Sequence, residues 1–209
     1  MSAPNSVQDL LILVADKDME QSIVGVCSRP EALGVRTFSL SILVHPGRDP
    51  GCLSEGVEFL RPFQRQFSHA LLVFDHMGCG REAHSRAELE GALEEQLRVS
   101  GWGERAAAVV IDPELEAWVW SDSPHVDRIL QWQDRRPSLR EWLVDQKFLA
   151  PEGVKPERPK EAVERALRVV RLPRSSALYR QLAQQVSLGR CTDASFLKLK
   201  ALLQNWFAA

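Results

Sequence analysis

Acidic side chains follow three of the four short apolar runs in the first half of the chain. They are Asp16 and Asp18 after the first run, Asp75 after the third, and Asp112, Glu114 and Glu116 after the fourth. Carboxylates gathered in this way repel one another and raise one another's pKa unless a cation lies among them. Hard oxygen ligands suit Mg²⁺ or Mn²⁺, and such an ion activates water and stabilises the charge of an in-line phosphoryl displacement.

The pattern therefore predicts a site for Mg²⁺ or Mn²⁺, with the ligands Asp16, Asp75, Glu114 and Glu116. We expect Asp75, Glu114 and Asp16 to be its catalytic members. Asp75 is the strongest candidate, because the glycines at positions 78 and 80 leave room for the backbone close to a ligand. The alternative for any one of these acids is a structural role, since an Asp that follows a strand is often a helix N-cap. Asp18 and Asp112 each precede a predicted helix.

Glu114 and Glu116 are spaced i, i+2, so on a regular helix they cannot face the same cation. We expect Pro113 to begin a helix, because proline is favoured at the first helical position. Glu114, which is nearer the strand end, is then the ligand. Glu116 would instead accept hydrogen bonds from the backbone or from an arginine in the C-terminal half, and would hold the two halves together.

Four basic residues are candidates for binding substrate phosphates: Arg48, Arg81, Lys160 and Arg168. The two arginines in the first half lie in predicted loops, and a guanidinium pairs with phosphate through two hydrogen bonds. Lys160 and Arg168 lie on one predicted helix, whose basic face would contact a nucleic-acid backbone. Acidic residues predominate up to residue 134 and basic residues after it. The alternative for each basic residue is a solvated surface charge.

Two further residues lie beside Asp75. His76 is a candidate metal ligand or general base, and the alternative is a loop histidine that faces solvent. Cys79 has no predicted base beside it, so we interpret it as a small loop residue rather than a nucleophile.

The elements that position these residues follow from the apolar patterning. Residues 10–14, 37–44, 70–74 and 106–111 predict four strands, and residues 19–29, 54–67 and 85–99 predict the helices between them. Ser85 and Glu88 match a capping box at the start of the last of these helices. The alternation predicts an α/β fold, with a mostly parallel four-stranded sheet between helices. Acids that follow such strands meet at one edge of the sheet.

Strand signals stop after about residue 122. Helices are predicted over residues 138–148, 159–172, 175–187 and 193–207. We therefore expect an α/β domain at residues 1–122 and an all-helical C-terminal extension at residues 123–209.

Composition excludes several classes of protein. Apolar residues are 44% of the chain and charged residues 26%, which is typical of a folded protein and excludes general disorder. No apolar run approaches the length of a membrane span, and the first nine residues lack the pattern of a signal peptide. The four cysteines form no CxxC pair, which excludes the usual zinc spacings. We expect a cytoplasmic protein that does not contact a membrane.

Three features of the sequence are informative together: the acid after the first strand, the Asp75 loop with its glycines, and the segment Pro113-Glu114-Leu115-Glu116-Ala117-Trp118 followed by Asp122. In this combination they resemble the Toprim (topoisomerase–primase) superfamily. The likeness is to small single-domain Toprim proteins related to OLD-family nucleases, and it extends to Cys191, Phe196 and residues 197–206. The resemblance implies a Toprim-like fold and a Mg²⁺- or Mn²⁺-dependent nuclease. It also implies a prokaryotic anti-phage defence system in which an ATPase is the partner.

The sequence departs from that family at two positions. Toprim proteins carry a glutamate directly after the first strand, where this chain has Ala15 and Asp16, and Met77 replaces the second acid of their Asp-x-Asp motif. Two main hypotheses follow: a metal-dependent nuclease acting on nucleic-acid phosphodiesters, or a catalytically degenerate Toprim-like module that docks on an ATPase or another defence protein. A third is a nucleotide phosphotransferase on an unrelated α/β sheet.

Overall fold

Four apolar runs form one parallel sheet in the computed structural model, which describes residues 7–120 and 123–209. The strands are β1 (Gln8–Val14), β2 (Leu40–Val44), β3 (Phe67–Asp75) and β4 (Ala106–Ile111). Their order in the sheet is β2-β1-β3-β4, and every pairing is parallel. All of β4 and the central residues of β1 and β3 are buried, as expected when helices cover a parallel sheet. The predicted α/β fold is confirmed.

Nine α-helices flank or follow this sheet in the described part of the chain. They are α1 (Lys17–Cys27), α2 (Pro30–Leu33), α3 (Arg48–Leu60), α4 (Arg86–Leu97), α5 (Pro124–Ile129), α6 (Leu139–Asp145), α7 (Pro159–Val170), α8 (Ser176–Gln185) and α9 (Ala194–Trp206). The capping box predicted for α4 is present, since the side chains of Ser85 and Glu88 each accept a hydrogen bond from the other residue's backbone N–H. No helix among the described residues is long and apolar enough to span a membrane.

Two helices begin earlier than predicted. Asp16, rather than Asp18, caps α1: its backbone is extended and its Oδ1 accepts the N–H of Met19 at 2.9 Å. Helix α3 begins at Arg48, within the segment predicted to be a loop. Pro50 falls in the first turn of α3, where a backbone N–H has no partner inside the helix, so the proline does not interrupt it.

The segment after β4 also differs from the prediction. Pro113 does not begin a helix: Glu114 is extended, and a short 3-10 turn spans Leu115–Trp118. The reason is that the sheet pairing continues past the strand ends. The N–H of His76 donates to the carbonyl of Ile111, and the N–H of Met77 donates to the carbonyl of Pro113, both at 2.8 Å.

The C-terminal half is helical where it is described, and no strand there joins the sheet. Helix α8 packs against α1, and α9 packs against β4. At the end of α9 the ring of Phe207 stacks on Phe38, with centroids 4.5 Å apart. The boundary expected at residue 122 falls outside the described residues, and both halves contribute to one hydrophobic core.

Candidate functional site

The acidic residues converge at the carboxyl edge of the sheet, beside the point where the chain reverses direction. From β1 the chain passes to β2 on one side and then to β3 on the other. Ligands of open parallel sheets bind in the crevice at such a switch point. Asp16 lies two residues after the end of β1 and Asp75 is the last residue of β3, so these two predicted site residues flank the crevice.

Asp75 lies at the centre of this acidic edge. Its Oδ1 accepts the N–H of Leu115, and its own N–H donates to Oδ1 of Asp49, both at 2.8 Å. Burial raises the pKa of Asp75 well above its usual range. Four neighbouring carboxylates raise the pKa further: Asp49, Glu116, Asp16 and Glu114. The four ligands predicted from the sequence are therefore close enough to interact electrostatically.

Asp49 is a member of this edge that the sequence did not single out as a ligand. It lies in the first turn of α3, directly after the loop that follows β2. Burial raises its pKa and Asp16 contributes in the same direction, whereas the hydrogen bond from the backbone of Asp75 lowers it. The sequence did place an acid, Asp49, soon after the second strand. Its position beside Asp75 could not be predicted without knowing where α3 begins.

Glu114 and Glu116 have separate environments, as expected. Oε1 of Glu114 accepts the backbone N–H of Lys160 at 3.0 Å, and its Oε2 lies 3.9 Å from Nζ of Lys160. Glu116 is 1% exposed. Its Oε1 accepts the hydroxyl of Tyr179 at 2.6 Å and lies 3.1 Å from Nη2 of Arg174. Arg174 is thus the C-terminal arginine that was expected to bind Glu116.

Arg174 neutralises one side of the acidic edge. Its guanidinium also forms ion pairs with Asp18 at 2.8 Å and with Glu164 at 2.9 Å, and it lies over the ring of Tyr179. Burial raises the pKa of Tyr179, and Glu116 raises it further, so this hydroxyl remains a donor. The network joins α1, the turn after β4 and the C-terminal helices, because its members come from all three.

An open cleft of about 530 Å³ lies between the end of β1 and the C-terminal helices. Its polar and charged lining residues are Asp16, Lys17, Asp18, His45, Arg48, Lys160 and Arg174. Two of the four predicted phosphate-binding residues, Arg48 and Lys160, are therefore brought beside Asp16. The other two are exposed elsewhere: Arg81 lies in the loop after β3, and Arg168 lies on α7.

His76 is engaged within its own loop. Its Nε2 lies 2.7 Å from the carbonyl oxygen of His84, and its Nδ1 lies 3.6 Å from the carboxylate of Asp112. The side chain is therefore not a solvent-facing loop histidine, and its roles as a metal ligand or a general base stay predictions. It ties together the two ends of residues 76–84.

The carboxylates are not arranged as a preformed metal cage. Within residues 7–120 and 123–209, no group of three or more His, Cys, Asp or Glu side chains is placed to hold a metal ion. This corrects the expectation that Asp16, Asp75 and one of the two glutamates share a cation in the folded chain. Each of these acids already has a structural partner on one oxygen: Asp16 caps α1 through Oδ1, Glu114 binds the backbone of α7 through Oε1, and Glu116 binds Arg174 and Tyr179 through Oε1.

Comparison with models of protein families, with curated proteins and with solved structures found no match. The likeness to the Toprim superfamily accordingly stays a prediction from the sequence. It rests on the acids after β1 and β3 and on residues 113–118, whereas Asp122 lies outside the described residues.

Proposed function

We propose that this protein is a Toprim-like nuclease that hydrolyses nucleic-acid phosphodiesters with Mg²⁺ or Mn²⁺, in a prokaryotic anti-phage defence system. The observation that carries the proposal is Asp75, a carboxylate whose pKa is raised by burial and by four further carboxylates at the switch point of the sheet. A cation bound there would relieve this repulsion, which is why clustered carboxylates are typical of metal sites.

The distribution of countercharge indicates which acids would hold the cation. Arg174 pairs with Glu116, and Lys160 lies beside Glu114. Among the ion pairs of the described residues, none involves Asp16, Asp49 or Asp75. We therefore assign Asp75 and Asp16 as the metal-holding residues, with Asp49 fixing the backbone of Asp75 through its hydrogen bond.

A preformed set of three ligands is not required for this assignment. Mg²⁺ usually keeps several waters and is bound through one or two carboxylates together with the phosphates of the substrate. When bound, such an ion supplies an activated water and stabilises charge on phosphoryl oxygens. The chain's own contribution is to bind and orient the phosphodiester, for which Arg48 and Lys160 line the same cleft as Asp16.

The proposal is tested by incubating the purified protein with single- and double-stranded DNA and with RNA, in Mg²⁺, in Mn²⁺ and in EDTA. We expect cleavage of at least one substrate in a divalent cation and none in EDTA. Equal cleavage in EDTA, or no cleavage of any substrate, would overturn the enzymatic proposal.

Removing the guanidinium at position 48 should weaken substrate binding. A hydrogen bond to a charged group contributes about 1.5–3 kcal/mol, so we expect Arg48→Ala to raise KM about tenfold or more, while kcat changes less. The matched control is Arg65→Ala, because Arg65 is exposed just before β3, at the opposite end of that strand from Asp75. An equal rise of KM in both variants would mean that only overall charge matters, and would contradict a phosphate contact at Arg48.

One observation favours the second hypothesis, a catalytically degenerate Toprim-like module that docks on an ATPase or another defence protein. Arg174 lies among Asp18, Glu116 and Glu164, so an internal cation already supplies part of the charge that a metal would supply. On this hypothesis the protein binds no divalent cation at Asp75 and cleaves no nucleic acid. Cleavage assays in Mg²⁺, Mn²⁺ and EDTA therefore distinguish the nuclease from the degenerate module.

A further inference from the structure

The loop after β3 contains a small concave set of backbone donors. The N–H groups of Gly78 and Gly80 both donate to Oε1 of Glu82, at 2.9 and 3.1 Å. Both glycines have positive φ, +91° and +85°, a conformation that disfavours other residues. Backbone N–H groups of one turn that point toward the same place form a nest that binds anions. The N–H of Cys79, between the two donors, instead donates to the carbonyl of His76 at 3.3 Å. We call this feature the 78–80 nest, and its occupant here is the chain's own carboxylate.

The 78–80 nest is held in a fixed place at the edge of the sheet. Its chain segment is attached to the last residue of β4 and to Pro113 by the backbone hydrogen bonds of His76 and Met77, and its ends are tied by the contact between His76 and the carbonyl of His84. The side chain of Cys79, between the two glycines, is only 2% exposed. Because the backbone is fixed on both sides, the donors are preorganised rather than gathered by Glu82.

The nest lies at the surface of the protein, where Gly78, Gly80 and Glu82 are all exposed. A Cβ atom built on either glycine would meet no atom within 4 Å. The glycines are therefore required by their backbone conformation and not by crowding. The N–H groups of Glu82 itself, Gly80 and Gly78 hold the pKa of the Glu82 carboxyl below its usual range, so the occupant is charged. Donors that stabilise one anion in an open position can accept another of similar charge.

We propose that the 78–80 nest is a binding subsite for a backbone phosphate of a nucleic acid, and that the Glu82 carboxylate is an internal competitor which this phosphate displaces. The identity of the ligand rests on the proposed nuclease function. The nest begins three residues after Asp75, and the neighbouring Arg81 is exposed and supplies a guanidinium for the same phosphate. This gives Arg81, which lies outside the cleft beside Asp16, a place in substrate binding.

The consequence is a measurable autoinhibition. When only a fraction of the molecules has an open site, the apparent affinity for a ligand falls by that fraction. Replacing Glu82 with Ala opens every nest, so we expect Glu82→Ala to tighten phosphate binding by about tenfold. The control is Glu55→Ala, which removes the same charge from an exposed position on α3.

Two readouts in EDTA test the proposal on the full chain. In the first, inorganic phosphate is titrated while the amide resonances of Gly78 and Gly80 are followed by NMR. In the second, the Kd of a fluorescein-labelled single-stranded oligonucleotide is measured by anisotropy. We expect both glycine amides to shift at about tenfold lower phosphate in Glu82→Ala than in the wild type. We also expect the oligonucleotide to bind more tightly to Glu82→Ala, and Glu55→Ala to behave as the wild type.

A further variant checks that the backbone donors are responsible. Gly80→Ala in the Glu82→Ala background places a Cβ on a residue at φ +85° and should remove the gain. Glycine amides that do not shift, or an equal gain in Glu55→Ala, would overturn the proposal. The glycine amides could shift and the oligonucleotide could bind more tightly to Glu82→Ala, while the protein cleaves no nucleic acid in any cation. That result would support the nest and overturn the nuclease function.

Discussion

Asp75→Asn is expected to abolish metal-dependent cleavage and, at the same time, to stabilise the protein in EDTA. The amide keeps the oxygen that accepts the N–H of Leu115, but it removes a negative charge that is buried among four other carboxylates. Because the variant no longer buries this charge beside the other carboxylates, we expect the melting temperature to rise, and each kcal/mol gained raises it by about 2–4 °C in a chain of this size. Cleavage assays and thermal unfolding of the same two preparations measure both effects.

The gain in stability of Asp75→Asn should depend on pH, and the direction in which the pKa of Asp75 is shifted sets the sign of that dependence. The pKa of Asp75 is higher in the folded than in the unfolded chain, so between the two values the folded state binds more protons. The stability of the wild type therefore falls as pH rises through this window. The advantage of Asp75→Asn should be largest near neutral pH and should vanish toward the usual aspartate value of 3.8, as measured by urea unfolding in EDTA.

The matched control is Asp127→Asn. Asp127 lies on α5, and burial alone raises its pKa. It lines a different cavity from the cleft beside Asp16. This variant should leave cleavage unchanged. Wild-type cleavage by Asp75→Asn would contradict the assignment of Asp75.

Glu116→Gln is expected to cause the largest loss of stability. Glu116 is buried, and it binds both Tyr179 and Arg174. Breaking a buried ion pair by removing one partner costs about 3–5 kcal/mol. Arg174 keeps two other carboxylates, so we expect the lower end of that range, about 3 kcal/mol. Urea unfolding at neutral pH measures the change in the free energy of unfolding.

The control for Glu116→Gln removes a different partner of Arg174. Glu164→Gln removes a partner of Arg174 that is 42% exposed, and an exposed pair contributes at most about 1 kcal/mol. Equal losses in the two variants would contradict the role of Glu116 in joining the halves. If Glu116→Gln kept its stability but lost cleavage, Glu116 would belong to the metal site and not to the contact that joins the halves.

Local patterns in the sequence were sufficient for much of this architecture. The apolar runs predicted β1, β3 and β4, because parallel strands buried on both faces are continuously apolar. The edge strand β2 is half-buried, and its segment alternates before it turns apolar. The Ser85–Glu88 box gave the start of α4 because its two hydrogen bonds form within four residues. The prediction that Glu116 binds a C-terminal arginine held because a buried acid requires such a partner.

What the sequence could not show depends on contacts between distant segments. Pro113 failed to begin a helix because its carbonyl pairs with Met77. Asp49 was not assigned as a ligand because its proximity to Asp75 depends on where α3 begins. The glycines after Asp75 indicated a close backbone approach, but not that Glu82 would occupy the resulting nest. In each case the deciding hydrogen bond depends on a backbone geometry that spacing alone does not specify.

The central claim is that a divalent cation binds at Asp75, and calorimetric titration of Mn²⁺ into the wild type and into Asp75→Asn tests it most directly. We expect saturable binding to the wild type that Mg²⁺ competes for, and no binding to Asp75→Asn, which remains folded. No binding to the wild type, or equal binding to both proteins, would contradict it.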